Sequence, residues 1–395
     1  MFNRDVFIDV EHHQMCKNGN LVCGDVFLSK RLKEENRTIV VLADGLGSGI
    51  KANVLASMTA GMIVNFMILN EPIDRVTKTI MNTLPVDQYR KIGYSTFTII
   101  DIESDGETRI IEYGNPPTLV FRNGKVEQPV RQVLELPFQT NLPQKLYFWN
   151  FQAGKEDRII SMSDGVSQSG IGRMDMPFGW DMEKIECFIS DLLLQKPDIN
   201  ARDLSRRLTN QARINDILKP QDDISCGVIH FSTPRKLLLC TGPPYNACND
   251  KLLAQKAETF DGARIICGGT TAEIVSRELH REIEVQMETA RAGLPPLSTI
   301  EGIDLVAEGI LTLGRVSTLL EKGDINQEPE DSPAGEILKL FLQHDEINLL
   351  VGTKVNDAHQ DPTLPVELEI RRNVMKRIAR LLETKYLKRV FVEYL

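Results

Sequence analysis

Four acidic residues share one local setting, each at the mouth of an apolar stretch and mostly beside glycine: Gly24-Asp25, Ala43-Asp44-Gly45, Ser163-Asp164-Gly165 and Gln221-Asp222-Asp223. Strand ends along one edge of a sheet can bring such residues together although they lie far apart in the chain. Oxygen ligands without histidine or cysteine favour magnesium or manganese over zinc. Two such ions a few ångströms apart can activate a bridging water and neutralise a phosphoryl oxygen, and several carboxylates are needed to balance their charge. A glycine after Asp44 would let the Gly45 carbonyl approach a metal with no side chain in the way. Taken singly, each Asp-Gly is an ordinary turn; four in order ask for more.

Around these residues the first half alternates strand-like and helical stretches. Asn20–Ser29, Thr38–Ala43, Ser95–Ile102, Arg109–Tyr113, Thr118–Arg122, Arg158–Ser163 and Ile224–Phe231 are short and β-branched or aromatic, with Gly, Asp, Asn or Pro at their ends. Helical patterns cover Gly49–Leu69 and Pro72–Leu84, then Met182–Gln195 and Ala201–Leu218. Helices inserted as two blocks among strands predict an α+β fold with a mainly antiparallel sheet. The 395 residues are long for one core, and Phe231-Ser-Thr-Pro234 is the natural boundary. We therefore expect domains over 1–234 and 235–395, the second an α/β unit. Its strands are Lys236–Cys240, the ARIIC stretch, an IEV strand and a closing VFVEYL strand. Its helices are Lys251–Thr259, Thr271–Leu279 and Leu364–Leu387, and Gln327–Gly335 reads as a polar loop.

Five ordered motifs carry a resemblance over residues 15–232. ADGLGSG precedes a small-residue helix (Lys51–Ile63); YSTFTIIDIE, the YGNPPTLVFRNGKV hairpin, DRIISMSDGV and DDISCGVI follow. Together they resemble the bacterial sporulation stage II protein E branch of the PPM (type 2C) metal-dependent protein serine/threonine phosphatases. The resemblance implies an αββα sandwich. It implies two Mn²⁺ or Mg²⁺ ions held by Asp25, Asp44, the Gly45 carbonyl, Asp164 and Asp222, with Asp223 as a further candidate. It also implies that Asp25, Asp44, Asp164 and Asp222 carry the hydrolysis, through metal-activated water, of phosphoserine or phosphothreonine on a partner protein. In that branch the substrate is usually an antagonist of an anti-sigma factor, and Gly49–Leu84 would be a switch that completes the metal site. Leu46 and Gly24 stand where eukaryotic members have a histidine and a glutamate, as in the bacterial branch, which leaves the general acid to water on a metal. The competing reading is a weak or inactive scaffold whose second domain binds a regulatory ligand or protein.

Other signals narrow the field. Both halves are net acidic and offer no basic face for nucleic acid. GLGSG lacks the lysine of a phosphate-cradling nucleotide loop. No cysteine is followed by arginine six positions on, which disfavours a cysteine-nucleophile phosphatase. Seven cysteines without a CxxC pair fit free buried thiols in a reducing compartment. No secretory signal opens the chain, and Val54–Leu69 is interrupted by polar residues, so a cytoplasmic protein with no membrane span is expected. His12, His13 and Cys16 have metal-like spacing but lack a complete ligand set, and Asp357-Ala358-His359 reads as loop. Self-association through the switch helices or the second domain is open. In that domain Cys240-Thr241-Gly242-Pro243-Pro244 and Cys267-Gly268-Gly269-Thr270-Thr271 each link a strand to a helix; such turns can face an anion and are also ordinary α/β turns.

Overall fold

The structure is a computed structural model that describes residues 6–83, 95–127, 129–136, 144–286, 297–323, 332–354 and 364–395. The chain divides into two compact units, Met1–Thr233 and Pro234–Leu395. In the first, strands β1 (Phe7–Met15), β2 (Val26–Leu32) and β3 (Arg37–Gly45) precede helices α1 (Ile50–Ile68) and α2 (Ile73–Thr83). Strands β4 (Ser95–Ile102), β5 (Glu107–Tyr113), β6 (Leu119–Arg122), β7 (Lys125–Glu127), β8 (Gln132–Leu136), β9 (Gln144–Gln152) and β10 (Arg158–Met162) follow. The unit closes with α3 (Asp164–Ser167), α4 (Met182–Gln195), α5 (Ala201–Asn215) and β11 (Ile224–Ser232).

These strands form two sheets in the orders β1-β11-β10-β6-β7 and β2-β3-β4-β5-β9-β8, and every pairing within them is antiparallel. Strand alternation sorts the side chains into layers. Ile39, Val41, Phe97, Ile99 and Ile111 pack beneath Ala56, Ala60 and Ile63 of α1. Leu119, Ile160, Met162, Cys226 and Val228 pack beneath Ile185 and Ile189 of α4 and Leu204 and Leu208 of α5. The opposite faces, with Val40, Leu42, Ile100, Ile159 and Ile229 all buried, meet between the sheets. They meet closely: a Cβ on Gly227 of β11 would lie 2.3 Å from the Phe27 ring of β2. The result is the expected αββα sandwich.

Among the described residues, α1 is the one helix long and apolar enough, by length and composition, to cross a membrane. Here its face of small residues is spent on β3, with Ala52, Ala56 and Ala60 fully buried. Two elements depart from the sequence reading. Phe7–Met15 is a strand although Glu11, His12 and His13 interrupt its apolar pattern. The stretch read as a strand from Asn20 begins only at Val26, because residues 16–24 are folded against Asp223.

The second unit is a seven-stranded sheet in the order β14-β15-β16-β13-β12-β17-β18. Its strands are β12 (Lys236–Thr241), β13 (Ala263–Cys267), β14 (Glu284–Gln286), β15 (Leu297–Ile300), β16 (Ile303–Ala307), β17 (Glu346–Val351) and β18 (Arg389–Tyr394). Strands β16, β13, β12, β17 and β18 run parallel. Helices α6 (Asp250–Thr259) and α7 (Gly269–Leu279) share a core with one face of the sheet. Helices α8 (Ile310–Lys322), α9 (Pro333–Gln343) and α10 (Leu364–Thr384) cover the other. Part of the predicted polar loop is helical instead: Ser332 caps α9, its Oγ accepting from the Gly335 N–H at 2.9 Å, with Pro333 at the first helical position. The Asp357-Ala358-His359 segment lies outside the described residues.

Candidate active site

Asp44 is the penultimate residue of β3, Asp25 sits just before β2, Asp164 opens α3 straight after β10, and Asp222 stands two residues before β11. The loops holding them are drawn together by glycines that admit backbone rather than metal alone. A Cβ on Gly45 would lie 2.1 Å from the Ala52 carbonyl oxygen, and one on Gly165 2.2 Å from that of Asp223. Gly24 is wedged in the same way, its missing Cβ leaving room for Ala52 and an Asp223 oxygen. The glycine after Asp44 therefore lets α1 close on the end of β3, a packing reason the sequence reading lacked.

Asp25, Asp44 and Asp222 are each raised by burial and by neighbouring carboxylates. Burial, then the charges of Asp25, Asp164 and Asp222, hold Asp44 well above the usual carboxylate range, and its carboxyl shares a hydrogen bond with Asp164. Burial pushes Asp25 up to about 7, opposed by the Ser225 and Ser163 hydroxyls and reinforced by Asp223 and Asp164. Asp222, half-exposed, is raised chiefly by burial, with Asp164 adding to it. Asp25 is only 3% exposed, and its Oδ2 is buried with no hydrogen-bond partner. Buried acceptors in folded proteins are nearly always satisfied. An all-oxygen donor set with an unmet buried acceptor and mutual repulsion is one that a hard divalent cation fits.

Asp223 stands differently. Its Oδ1 accepts from the Lys17 N–H and its Oδ2 from the Gly24 N–H, each at 2.8 Å. Both oxygens thus hold the 17–24 loop against β11. Sequence reasoning missed the residues that frame the cluster. Gln14 donates to the Asp25 carbonyl and to Ser225 Oγ. Ser163 Oγ receives the Ser225 N–H at 3.0 Å. Lys17 Nζ stands 4.0 Å from Asp222 at the mouth. Only the structure brings these long-range partners together; a serine or lysine without a motif gives no signal in the chain.

The cysteines correct one expectation. Cys16 and Cys23 are joined as a disulfide across the loop that Asp223 holds, and Cys187 and Cys248 are exposed, leaving Cys226, Cys240 and Cys267 as buried thiols. The loop folds back through the Asn20 N–H, which donates to the Lys17 carbonyl, and this brings the two sulfurs together. His12 and His13 lie on opposite faces of β1 and so do not share a ligand site: His12 stacks on Phe27, and His13 Nδ1 pairs with Thr209 Oγ1 at 2.7 Å.

The family model for stage II sporulation protein E matches residues 34–232, half of the chain. The chain belongs to the stage II sporulation protein E family. It is a protein serine/threonine phosphatase of the PPM (type 2C) class, whose enzymes are metal-dependent. No curated protein sequence matches it. Among solved structures it is similar to the phosphatase domain of SpoIIE from Bacillus subtilis, at 17% identity and a TM-score of 0.43, over 58% of this chain and 95% of that one. It is also similar to RsbX in complex with magnesium, at 20% identity and a TM-score of 0.35, over 58% of this chain and 98% of that one. A serine/threonine phosphatase of S. agalactiae matches at 13% identity and a TM-score of 0.40, over 57% of this chain and 99% of that one. In this member of the family the match ends within β11, and the second unit lies wholly beyond it.

Proposed function

We propose that the first unit hydrolyses phosphoserine and phosphothreonine on a partner protein, with two Mn²⁺ or Mg²⁺ ions held by Asp25, Asp44, the Gly45 carbonyl, Asp164 and Asp222. The observation that carries this reading is the unmet buried Oδ2 of Asp25 beside Asp44, whose carboxyl is raised by burial and by the charges of Asp25, Asp164 and Asp222. Repulsion of that kind is a standing cost to the fold unless positive charge offsets it. When bound, the ions supply a nucleophile from water at neutral pH and offset charge on the phosphoryl group.

The chain's own residues orient the site. Ser163 and Ser225 hydroxyls hold Asp25 toward its ionised form. Gln168 Nε2 donates to Asp164 Oδ2 at 3.0 Å and fixes that carboxylate's rotamer. Lys17 offers an ammonium at the mouth for the phosphate of an incoming residue. We assign Asp223 to anchoring the 17–24 loop rather than to ligation. The switch role falls to α1 and α2, since Gly45 makes the end of β3 and the start of α1 move as one piece. The partner is a phosphorylated protein such as an anti-sigma antagonist, met in the cytoplasm, and the second unit regulates or targets the enzyme.

The test is phosphate release from a phosphoserine-bearing protein with and without Mn²⁺, in wild type, Asp44→Ala and Asp164→Asn. Activity that requires metal and is lost in both variants supports the reading. Activity that survives both, or is indifferent to chelation, overturns it.

A further inference from the structure

The second unit holds a crevice that phosphatase chemistry leaves unused. β13 leads into α7 on the face shared with α6, whereas its parallel neighbour β16 leads into α8 on the opposite face. In open α/β sheets such a divergence opens a crevice beyond the carboxyl ends of the strands, and ligands bind there. The sheet has a second divergence, between β12 and β17, but backbone fills it. The Gly352 N–H donates to the Thr241 carbonyl at 2.8 Å, the Lys354 N–H to that of Pro243 at 3.1 Å, and a Cβ on Gly352 would lie 2.1 Å from the Gly242 carbonyl oxygen.

At β13 and β16 the strand ends are bridged too, the Gly268 N–H donating to the Ala307 carbonyl at 2.8 Å, but the glycines beyond are not pressed by backbone: a Cβ on Gly309 would lie 3.4 Å from the Gly268 Cα. A Cβ on Gly268 would meet nothing nearer than Thr271 Oγ1 at 3.4 Å and the Gly309 Cα at 3.8 Å; one on Gly269 would be 3.9 Å from Glu308 Oε1. Gly268 and Gly309 are the N-caps of α7 and α8, and neither helix has a side-chain cap. Two uncapped first turns, each the positive end of a helix dipole, therefore open side by side. A separate observation points to a ligand. Thr271, 1% exposed, has a hydroxyl with no hydrogen-bond partner, and that hydroxyl borders the space over Gly268. Thr312, at the matching third position of α8, is fully buried and equally unsatisfied. Buried hydroxyls in this state are uncommon.

Glu308 decides the class of ligand. Its Oε2 accepts from the Gly309 N–H at 3.2 Å, and its carboxylate stands at the mouth over Gly269. A bare anion would be repelled there, whereas a phosphate carried on a ribose gives the carboxylate a hydroxyl to accept from. We infer that this crevice binds a nucleotide, with phosphate oxygens at the first turns of α7 and α8 and on the Thr271 hydroxyl, and a ribose hydroxyl on Glu308.

The test is calorimetric titration of the full chain in EDTA with ADP, GDP, NAD⁺, inorganic phosphate and adenosine. At least one nucleotide should bind ten-fold or more tighter than phosphate or adenosine. Gly269→Asp puts an acid at a helix start, which the dipole favours, and beside Glu308, which opposes it; it should weaken that nucleotide at least ten-fold, with the melting temperature of the free protein measured alongside. Thr271→Val should weaken it several-fold. The inference fails if none of the nucleotides binds at millimolar concentration, if phosphate binds as tightly, or if Gly269→Asp leaves affinity unchanged. It fails equally if binding is lost in Asp44→Asn instead, which would place the nucleotide at the carboxylate cluster.

Discussion

Gly45 and Ala52 are in backbone contact: the position a Cβ would take on Gly45 is 2.1 Å from the Ala52 carbonyl oxygen. Gly45 is not among the residues with positive φ, so the conflict is purely one of space. Gly45→Ala should push the start of α1 away from β3. The expected cost is about 1–3 kcal/mol of stability, read from urea melts, together with loss of most phosphatase activity. A variant with wild-type activity would show that α1 and Asp44 are not mechanically joined.

Neighbouring acids should separate by readout. Asp222→Asn should weaken Mn²⁺ binding while leaving the metal-free melting temperature nearly unchanged, since Asp222 is half-exposed. Asp223→Asn sets an amide against one of two backbone N–H groups, and an unsatisfied buried donor costs about 1–3 kcal/mol. It should lower stability equally with and without metal. Equal effects of the two substitutions on metal affinity would refute the division of roles.

The pH response of the metal-free protein follows from Asp25, raised from 3.8 to about 7. Between those values the folded state holds a proton that the unfolded state has lost, so stability falls as pH rises through that window. Above 7 the full repulsion is present. Melting in EDTA should therefore decline from pH 5 to pH 8 more steeply in wild type than in Asp25→Asn, and Mn²⁺ should remove the difference between pH values in wild type. Metal binding at pH 6.5 should release protons, seen as a buffer-dependent heat. Identical heats in phosphate-free buffers of different ionisation enthalpy would contradict it.

The second unit has its own weak point. Asp345, fully buried, accepts from Arg235 Nε and Nη2 at 2.9 and 2.8 Å, with the buried Lys388 Nζ 3.8 Å away. Asp345→Ala leaves Lys388 without its carboxylate and should cost about 3–5 kcal/mol. Denaturant unfolding followed through fragments of residues 234–395 after limited proteolysis would register it; a shift under about 1 kcal/mol would mean the charges reach water.

Much of the first unit is legible in the chain because its signals are local. Ser95–Ile102 and Met182–Gln195 have the observed bounds, since turn formers and caps flank a clean period. The four aspartates announce themselves by standing at strand mouths. What escapes is whatever depends on distant partners. β1 has no alternating pattern because Asp9 is buried and His12 rests on Phe27. The Cys16–Cys23 bond needs a loop whose shape is dictated by Asp223. The interior position of β12 in its sheet depends on β17, more than a hundred residues later, and no periodicity within either strand encodes it.

β11 lies between β1 and β10, so among the described residues the first strand of the unit finds its one sheet neighbour at the unit's far end. A nascent chain leaving the ribosome cannot seat β1 until residue 232 has emerged. Asp222 and Asp223 stand just ahead of the same late strand, so the acidic cluster cannot be complete before they too have been made. A unit built this way cannot complete its acidic cluster until nearly all of its own length has been synthesised.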